Sequence, residues 1–171
     1  MLRDFFARMN RSADGQPPGV VVLKTNLSQR ISTADCVFCK IAGRELPAEV
    51  LLQTPRVISI LDINPIHYGH ALVIPTSHCS DFLAIGDADL HELMRVAQDV
   101  ARGMVSALGL EGFNVFSNNG RIAGQSVFHF HLHITPRYPD DDIRFVLKLK
   151  SYRDGEMAAY ADKIRHCLSH H

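Results

Sequence analysis

The chain has no surplus of charge of either sign: 18 basic and 18 acidic side chains cancel across 171 residues. Proteins that wrap nucleic acid usually carry a basic surplus that displaces counterions from phosphates, so no nucleic-acid partner is expected. Any phosphate held here must be held by local geometry rather than by a long-range field. There is no apolar run long enough to span a bilayer, and no membrane partner is expected. The opening stretch Met1-Leu2-Arg3-Asp4-Phe5-Phe6-Ala7-Arg8 lacks the apolar block of a signal peptide. Asp4 and Asp14 interrupt Arg3, Arg8 and Arg11 where an organelle-import sequence would be poor in acid. The default location is the cytoplasm. Cysteine is scarce, at positions 36, 39, 79 and 167, and without an export signal a disulfide framework is not expected. Repeats are absent, and so is any regular alternation of strand with helix, which argues against a doubly wound parallel sheet.

What is present divides the chain in three. Residues 1–34 read as a partly flexible N-terminal extension, because Gly15-Gln16-Pro17-Pro18-Gly19 breaks regular structure and Thr25 to Thr33 is polar without period. Within it, Val20 to Leu23 is either an added edge strand or part of a loose arm. Residues 35–138 carry the ordered pattern. A short helix over Cys36 to Ala42 is ended by Gly43, and strands are expected at Val50 to Gln53 and Arg56 to Leu61 around a Thr54-Pro55 turn. Ala71 to Pro75 is a continuously apolar strand, the pattern of burial on both faces. Apolar residues recur at three and four from Leu90 to Leu108, so Asp87 to Leu108 is a long amphipathic helix, capped by Asp87 and closed by Gly109. Further strands are expected at Phe113 to Ser117 and Phe128 to Thr135, the second stopped by Pro136. Residues 139–171 form a C-terminal extension with a helix over Glu156 to Leu168. Clustered strands with one long helix among them predict an α+β fold with a mainly antiparallel sheet and short flanking helices.

The segment His129-Phe130-His131-Leu132-His133 bears the chemistry. On a strand, side chains alternate, so the three histidines face one side while Phe128, Phe130, Leu132 and Ile134 bury on the other. Neighbouring imidazoles are then about 6.5–7 Å apart along the strand, and the outer pair about 13–14 Å, too far for all three to close on one ion. Packing alone has no need for three imidazoles at period two. A neutral histidine can attack phosphorus through one nitrogen while the other donates to a carbonyl that fixes the tautomer. Just upstream, Gly124-Gln125-Ser126 offers backbone N–H groups, an amide and a hydroxyl for non-bridging oxygens, and Gly124 lets the backbone approach a phosphate closely. Asp62 suits ribose, since a carboxylate accepts two hydroxyl hydrogens at once.

Gly124 through Ile134 resembles the signature of the histidine-triad (HIT) family of nucleotide hydrolases and transferases. Two further segments match in the family's order: Asp35 to Ile41 with Glu45-Leu46-Pro47-Ala48, and Asp62-Ile63-Asn64-Pro65 through His70 to Pro75 with His78. The resemblance covers about residues 35–138 and implies a HIT-like sheet of five strands. It implies His131 as the nucleophile that becomes nucleotidylated, with His133 and His70 beside the α-phosphate. Ser126 and Gln125 would contact phosphate oxygens or the leaving group, Asn118 the ribose–phosphate side, and Asp62 the ribose hydroxyls. Phe38, Ile41, Ile60 and Ile63 would form an apolar slot for a purine base. Uridylyltransferases of the family carry glutamine at the third triad position; His133 favours the hydrolase side. The DNA-repair branch carries a further zinc finger, which is not found after Pro136.

Cys36 and Cys39 have the spacing of a metal or redox pair. In zinc-bearing members of the family such a pair is completed at the positions that here are His78 and His129, which implies a structural zinc. Cys79, beside His78, is an alternative ligand. The expected activity is hydrolysis at the α-phosphate of nucleoside phosphoramidates or dinucleoside polyphosphates, releasing a nucleoside monophosphate. A nucleotide-binding regulatory module with little turnover and a metal sensor or carrier are the competing classes. A homodimer is expected, from the resemblance and from the wide apolar stripe of the helix at 87–108, with the strands around Phe113 pairing.

Overall fold

The sheet is built by strands whose sequences differ according to how many faces they bury. The computed structural model describes residues 33–144 and 146–168; the reading of Val20 to Leu23, like the rest of 1–32, lies outside them. A 3-10 turn at Thr33–Asp35 leads into helix α1 (Val37–Ala42). Strands β1 (Val50–Gln53), β2 (Val57–Leu61) and β3 (Ala71–Pro75) follow, then helix α2 (Asp87–Leu108), β4 (Gly112–Phe116) and β5 (Leu132–Arg137). The five strands lie in the order β1-β2-β3-β5-β4, and every neighbouring pair is antiparallel. The architecture is the expected α+β one.

The central strands are apolar on both faces because each face has its own cover. Val57, Ala71 and Val73 join Leu93, Val96, Ala97, Val100, Ala101 and Met104 of α2 in one core, together with Phe130, Leu132 and Ile134. On the opposite face Ile58, Ile60, Leu72 and Ile74 pack with Cys36, Val37, Phe38 and Ile41 of the α1 region. At the edges, β1 is mostly exposed, whereas β4 alternates between half-buried and exposed residues. Helix α2 has the expected bounds, and Gly109 closes it in the left-handed conformation (φ 62°). Its N-cap is Gly86, without a side-chain cap, and Asp87 is the first helical residue instead. There it still places negative charge at the positive end of the helix.

Three expectations about the histidine strand are corrected. Pairing begins only at Leu132, so Phe128 to His131 precede the strand. Extending the β3–β5 register would set Phe130 opposite Pro75, which has no N–H to give. The Phe130 amide donates to the Cys79 carbonyl (2.7 Å) instead, and the His129 ring takes the Pro75 carbonyl (2.8 Å). At the other end Pro136 lies within the strand, opposite Phe113. Beyond Ile134, β5 is paired on the β4 side alone, where a residue without an N–H is tolerated. Phe128, expected in the core, is half-buried beneath the Arg121 guanidinium.

The described chain divides into two compact units, with the boundary between Asp141 and Asp142. The second holds helix α3 (Glu156–Leu168), which has the bounds read from its sequence and buries none of its residues. No helix among the described residues is long and apolar enough to cross a membrane.

Candidate active site and metal corner

Only the last residues of the segment from His129 to His133 pair, yet its side chains still alternate between two faces. Phe130 and Leu132 enter the core beneath α2, and Phe38 of the opposite face makes edge contacts with His129 (5.9 Å) and His131 (5.0 Å). The three imidazoles then diverge into two neighbourhoods.

His131 lines a pocket of about 420 Å³ with His133, Asp62, Ser126, Gln125, Phe38, Ile41, Ile60 and Ile63. Its Nδ1 lies 2.7 Å from the His129 carbonyl oxygen. A carbonyl can only accept, so Nδ1 carries the proton and the Nε2 lone pair is left for the pocket. Burial lowers the His131 pKa against the opposing effect of that carbonyl, which keeps the ring neutral and nucleophilic. The Ser126 hydroxyl has no hydrogen bond within the described residues and lines the same pocket. Gln125 is otherwise committed: its amide donates to the carbonyls of Ser80 (2.7 Å) and Val127 (3.1 Å), and its oxygen accepts from Gly120 N–H (2.8 Å). It braces the loop that presents Ser126 rather than offering its own donors. Gly124, at φ 87°, ends the 3-10 turn at Arg121–Ala123, and the Asn118 amide lies beside it, 3.6 Å from where a Cβ would stand. Neither Gly124 nor Asn118 lines the pocket.

His133 is held between two rings, stacked on Phe116 (4.7 Å) and on His70 (5.1 Å). Behind it, His70 is 2% exposed and does not line the pocket. Its position is set by Gly69, whose φ of 89° and crowding against Leu108 and Pro136 exclude a side chain. His70 Nε2 meets His133 Nδ1 at 2.9 Å, and His70 Nδ1 lies 3.3 Å from Asp62 Oδ2. The Ile66 N–H also points at that Nδ1, at 3.3 Å. In one tautomer Nδ1 accepts from Ile66; in the other it donates to Asp62, and the bond to His133 reverses with it. Asp62, His70 and His133 lie close enough to suggest a metal, but the two contacts use opposite nitrogens of His70. The row therefore reads as a hydrogen-bond relay. Burial, then His131 and His70, push His133 down to about 3, and burial likewise lowers His70 against Asp62. Both are neutral imidazoles and bring no positive charge; only His133 reaches the pocket, where its Nε2–H can donate to a phosphate in the tautomer in which its Nδ1 accepts from His70.

His129 turns the other way. Its Nε2–H donates to Pro75, leaving Nδ1 3.3 Å from Cys36 Sγ and 3.5 Å from Cys39 Sγ. His78 Nδ1 is 3.3 Å from Cys39 Sγ, and one ligand atom from each of the four residues lies within 4.8 Å of the others. Zinc–sulfur and zinc–nitrogen bonds of about 2.3 and 2.0–2.1 Å give tetrahedral S···N edges of about 3.6 Å, close to these spacings. Burial, then Cys36 through its hydrogen bond and charge, pushes the Cys39 thiol up to about 12. A divalent cation is the group that would hold such thiols ionised, and the Pro75 carbonyl orients the imidazole as outer partners of metal-bound histidines do. The donor set fits zinc. Cys79 packs instead against the core beneath α2 and is outside the cluster.

Sequence reasoning missed Pro47, Ala48, Leu61, Asn64, Leu72, Val127 and Arg121 in the pocket lining. Most are neighbours of residues it named. Arg121 is different: no periodicity marks it, and only the folding of its loop brings it in.

The model of the HIT domain matches residues 43–140. Adenosine 5'-monophosphoramidase of Schizosaccharomyces pombe is 37% identical over 117 residues, 68% of this chain and 84% of that protein. A crystal structure of a HIT family member from Bacillus subtilis superposes with a TM-score of 0.74 at 32% identity, covering 77% of this chain and 96% of that one. A zinc-bound histidine triad family protein from Mycobacterium smegmatis gives a TM-score of 0.62 at 31% identity, covering 81% and 99%.

Proposed function

The chain belongs to the HIT family, and from that premise we propose that it hydrolyses nucleotide conjugates at the α-phosphate. The observation that carries this reading is the 2.7 Å contact from His131 Nδ1 to the His129 carbonyl, which leaves Nε2 as a neutral nucleophile in a pocket also lined by Ser126 and Asp62. Nε2 attacks phosphorus and the bond to the leaving group breaks, an amine taking a proton that Ser126 passes on from solvent, and a nucleotidyl-histidine results. Water then cleaves the phosphorus–nitrogen bond, releasing a nucleoside monophosphate and restoring the free imidazole. His70 Nδ1 accepts from the Ile66 N–H and its Nε2–H donates to His133 Nδ1, so that His133 Nε2–H is directed at the α-phosphate and donates to it. Ser126 takes a phosphate oxygen or the leaving group. The purine enters the slot of Phe38, Ile41, Ile60 and Ile63, with its ribose at Asp62.

The substrates of this reading are nucleoside phosphoramidates and dinucleoside polyphosphates, supported by the named activity of the fission-yeast relative. A panel of both, with the released product identified, tests it. A nucleoside monophosphate from either supports the hydrolase; tight nucleotide binding without release would favour a regulatory module.

Cys36, Cys39, His78 and His129 would hold zinc in a closed site, clamping the start of α1 to the approach of the catalytic residues. The chain would also act as a homodimer through the edge strand β4, where Phe113 and Val115 are 41% and 46% exposed. Light scattering at micromolar concentration should return twice the chain mass.

A further inference from the structure

We infer that Arg121 reads the charge of the leaving group and so selects among the substrates of this site. The inference rests on the hydrolase reading and adds a specificity residue to it. Of the pocket-lining residues, only Asp62 and Arg121 carry formal charge at neutral pH, and they come from different segments of the chain. Asp62 is engaged, accepting from the Asn64 N–H (2.9 Å) and facing His70. Arg121 has no carboxylate partner among the described residues; its guanidinium lies 4.9 Å from the centre of the Phe128 ring. An aromatic face steadies a cation without cancelling its charge.

The backbone of Arg121 is fixed to the phosphate-facing segment. Its carbonyl accepts from Gly124 N–H (3.0 Å), and Gln125 N–H donates to Gly120 (3.1 Å), so the turn leads directly into Ser126. With base and ribose at the apolar slot and Asp62, and the α-phosphate at His131, the part of the substrate left to face Arg121 is the leaving group. The chemistry of departure then discriminates. A phosphate, sulfate or second nucleotide leaves as an anion, and negative charge grows on its bridging oxygen as the bond to phosphorus breaks. An amine must take a proton to leave, which a fixed guanidinium opposes. Arginine also matches such oxyanions with two parallel donors, whereas lysine offers a point charge.

The test compares kcat/KM for a dinucleoside polyphosphate with that for a nucleoside phosphoramidate of an uncharged amine. It uses the full chain and the variants Arg121→Ala, Arg121→Lys and Arg121→Glu. The ratio of the two values should fall about tenfold in Arg121→Ala, the scale of one lost charge-assisted contact. It should recover in part in Arg121→Lys and fall further in Arg121→Glu. In the parent the same ratio should shrink as salt is raised, because the residue is exposed. A ratio equal in all four proteins would overturn the role of Arg121 while leaving the hydrolase reading intact. Failure of the parent to release a nucleoside monophosphate from either substrate would sink that reading itself.

Discussion

The cysteine–histidine corner and the histidine row lie within a few residues of each other and share histidine as a building block, yet their connectivity differs. In the corner, His129 and His78 each turn Nδ1 toward the cysteine sulfurs, so the ligand atoms converge. In the row, His70 contacts Asp62 through one nitrogen and His133 through the other, so the groups are strung out. Convergence favours one cation and a rigid clamp. A string can pass a hydrogen-bond preference from the Ile66 N–H through His70 to a ring in the pocket. His131 stands between the two, its ring anchored on the backbone carbonyl of the corner's own His129 and its edge against His133 (4.8 Å).

The sharpest way to separate the two regions is to remove the group between them. His131→Ala should lower nucleotide release by about four orders of magnitude or more, the scale of losing a nucleophile. Metal content and melting temperature should stay near those of the parent; residual turnover close to the parent value would mean another group attacks. Breaking the corner should do the reverse. Cys39→Ser should lower bound metal, measured by elemental analysis, and cost about 3 kcal/mol or more of stability, as loss of a structural metal does. A variant that keeps its metal would place the ion elsewhere.

Much of this arrangement was legible before the fold, but unevenly. Helix α2 was readable because its apolar residues keep one period over 22 residues, and β3 because its five residues are all buried. The three histidines announced a site by their spacing alone. Their division of roles depended on partners far along the chain. The strand's late start traces to Pro75, a residue with no ladder donor on a neighbouring strand. Gln125 read as a phosphate donor because its side chain suits that task, and only the fold shows three backbone groups occupying it. The family resemblance implied His70 as a phosphate neighbour; the crowding around Gly69 sets it one ring further back. Local pattern identifies chemically able residues, while long-range packing decides which of their atoms are free.

If the row is a relay, its middle member should matter for rate more than for binding. His70→Asn keeps a polar group of smaller reach and breaks the link from Ile66 to His133. The expected loss is about 10- to 100-fold in kcat, the range typical of residues that orient a reacting group's partner, with a smaller change in KM. Metal content should not move, because His70 is not among the four corner donors. Equal losses in kcat and metal would join the two regions that the structure keeps apart.

The smallest expected effect is a pH dependence of stability that belongs to the row. Burial holds His133 down at about 3 and lowers His70 as well, whereas both rings titrate near 6.5 in an unfolded chain. Below about pH 6.5 the unfolded chain therefore binds protons that the fold refuses, and stability falls with pH until the folded value is reached. The slope is at most about 1.4 kcal/mol per pH unit for each ring, and smaller for His133, whose ring reaches the solvent-filled pocket. Above pH 7 this contribution is fully present and flat. Urea unfolding at pH 7 and pH 5, for the parent and for His133→Gln, isolates it: the variant should lose less stability between the two pH values. The corner's acid sensitivity, from protonation of its metal donors, is common to both proteins and cancels in the difference. An identical loss in parent and variant would mean that His133 takes up its proton in the folded state, and the row would then carry charge into the pocket.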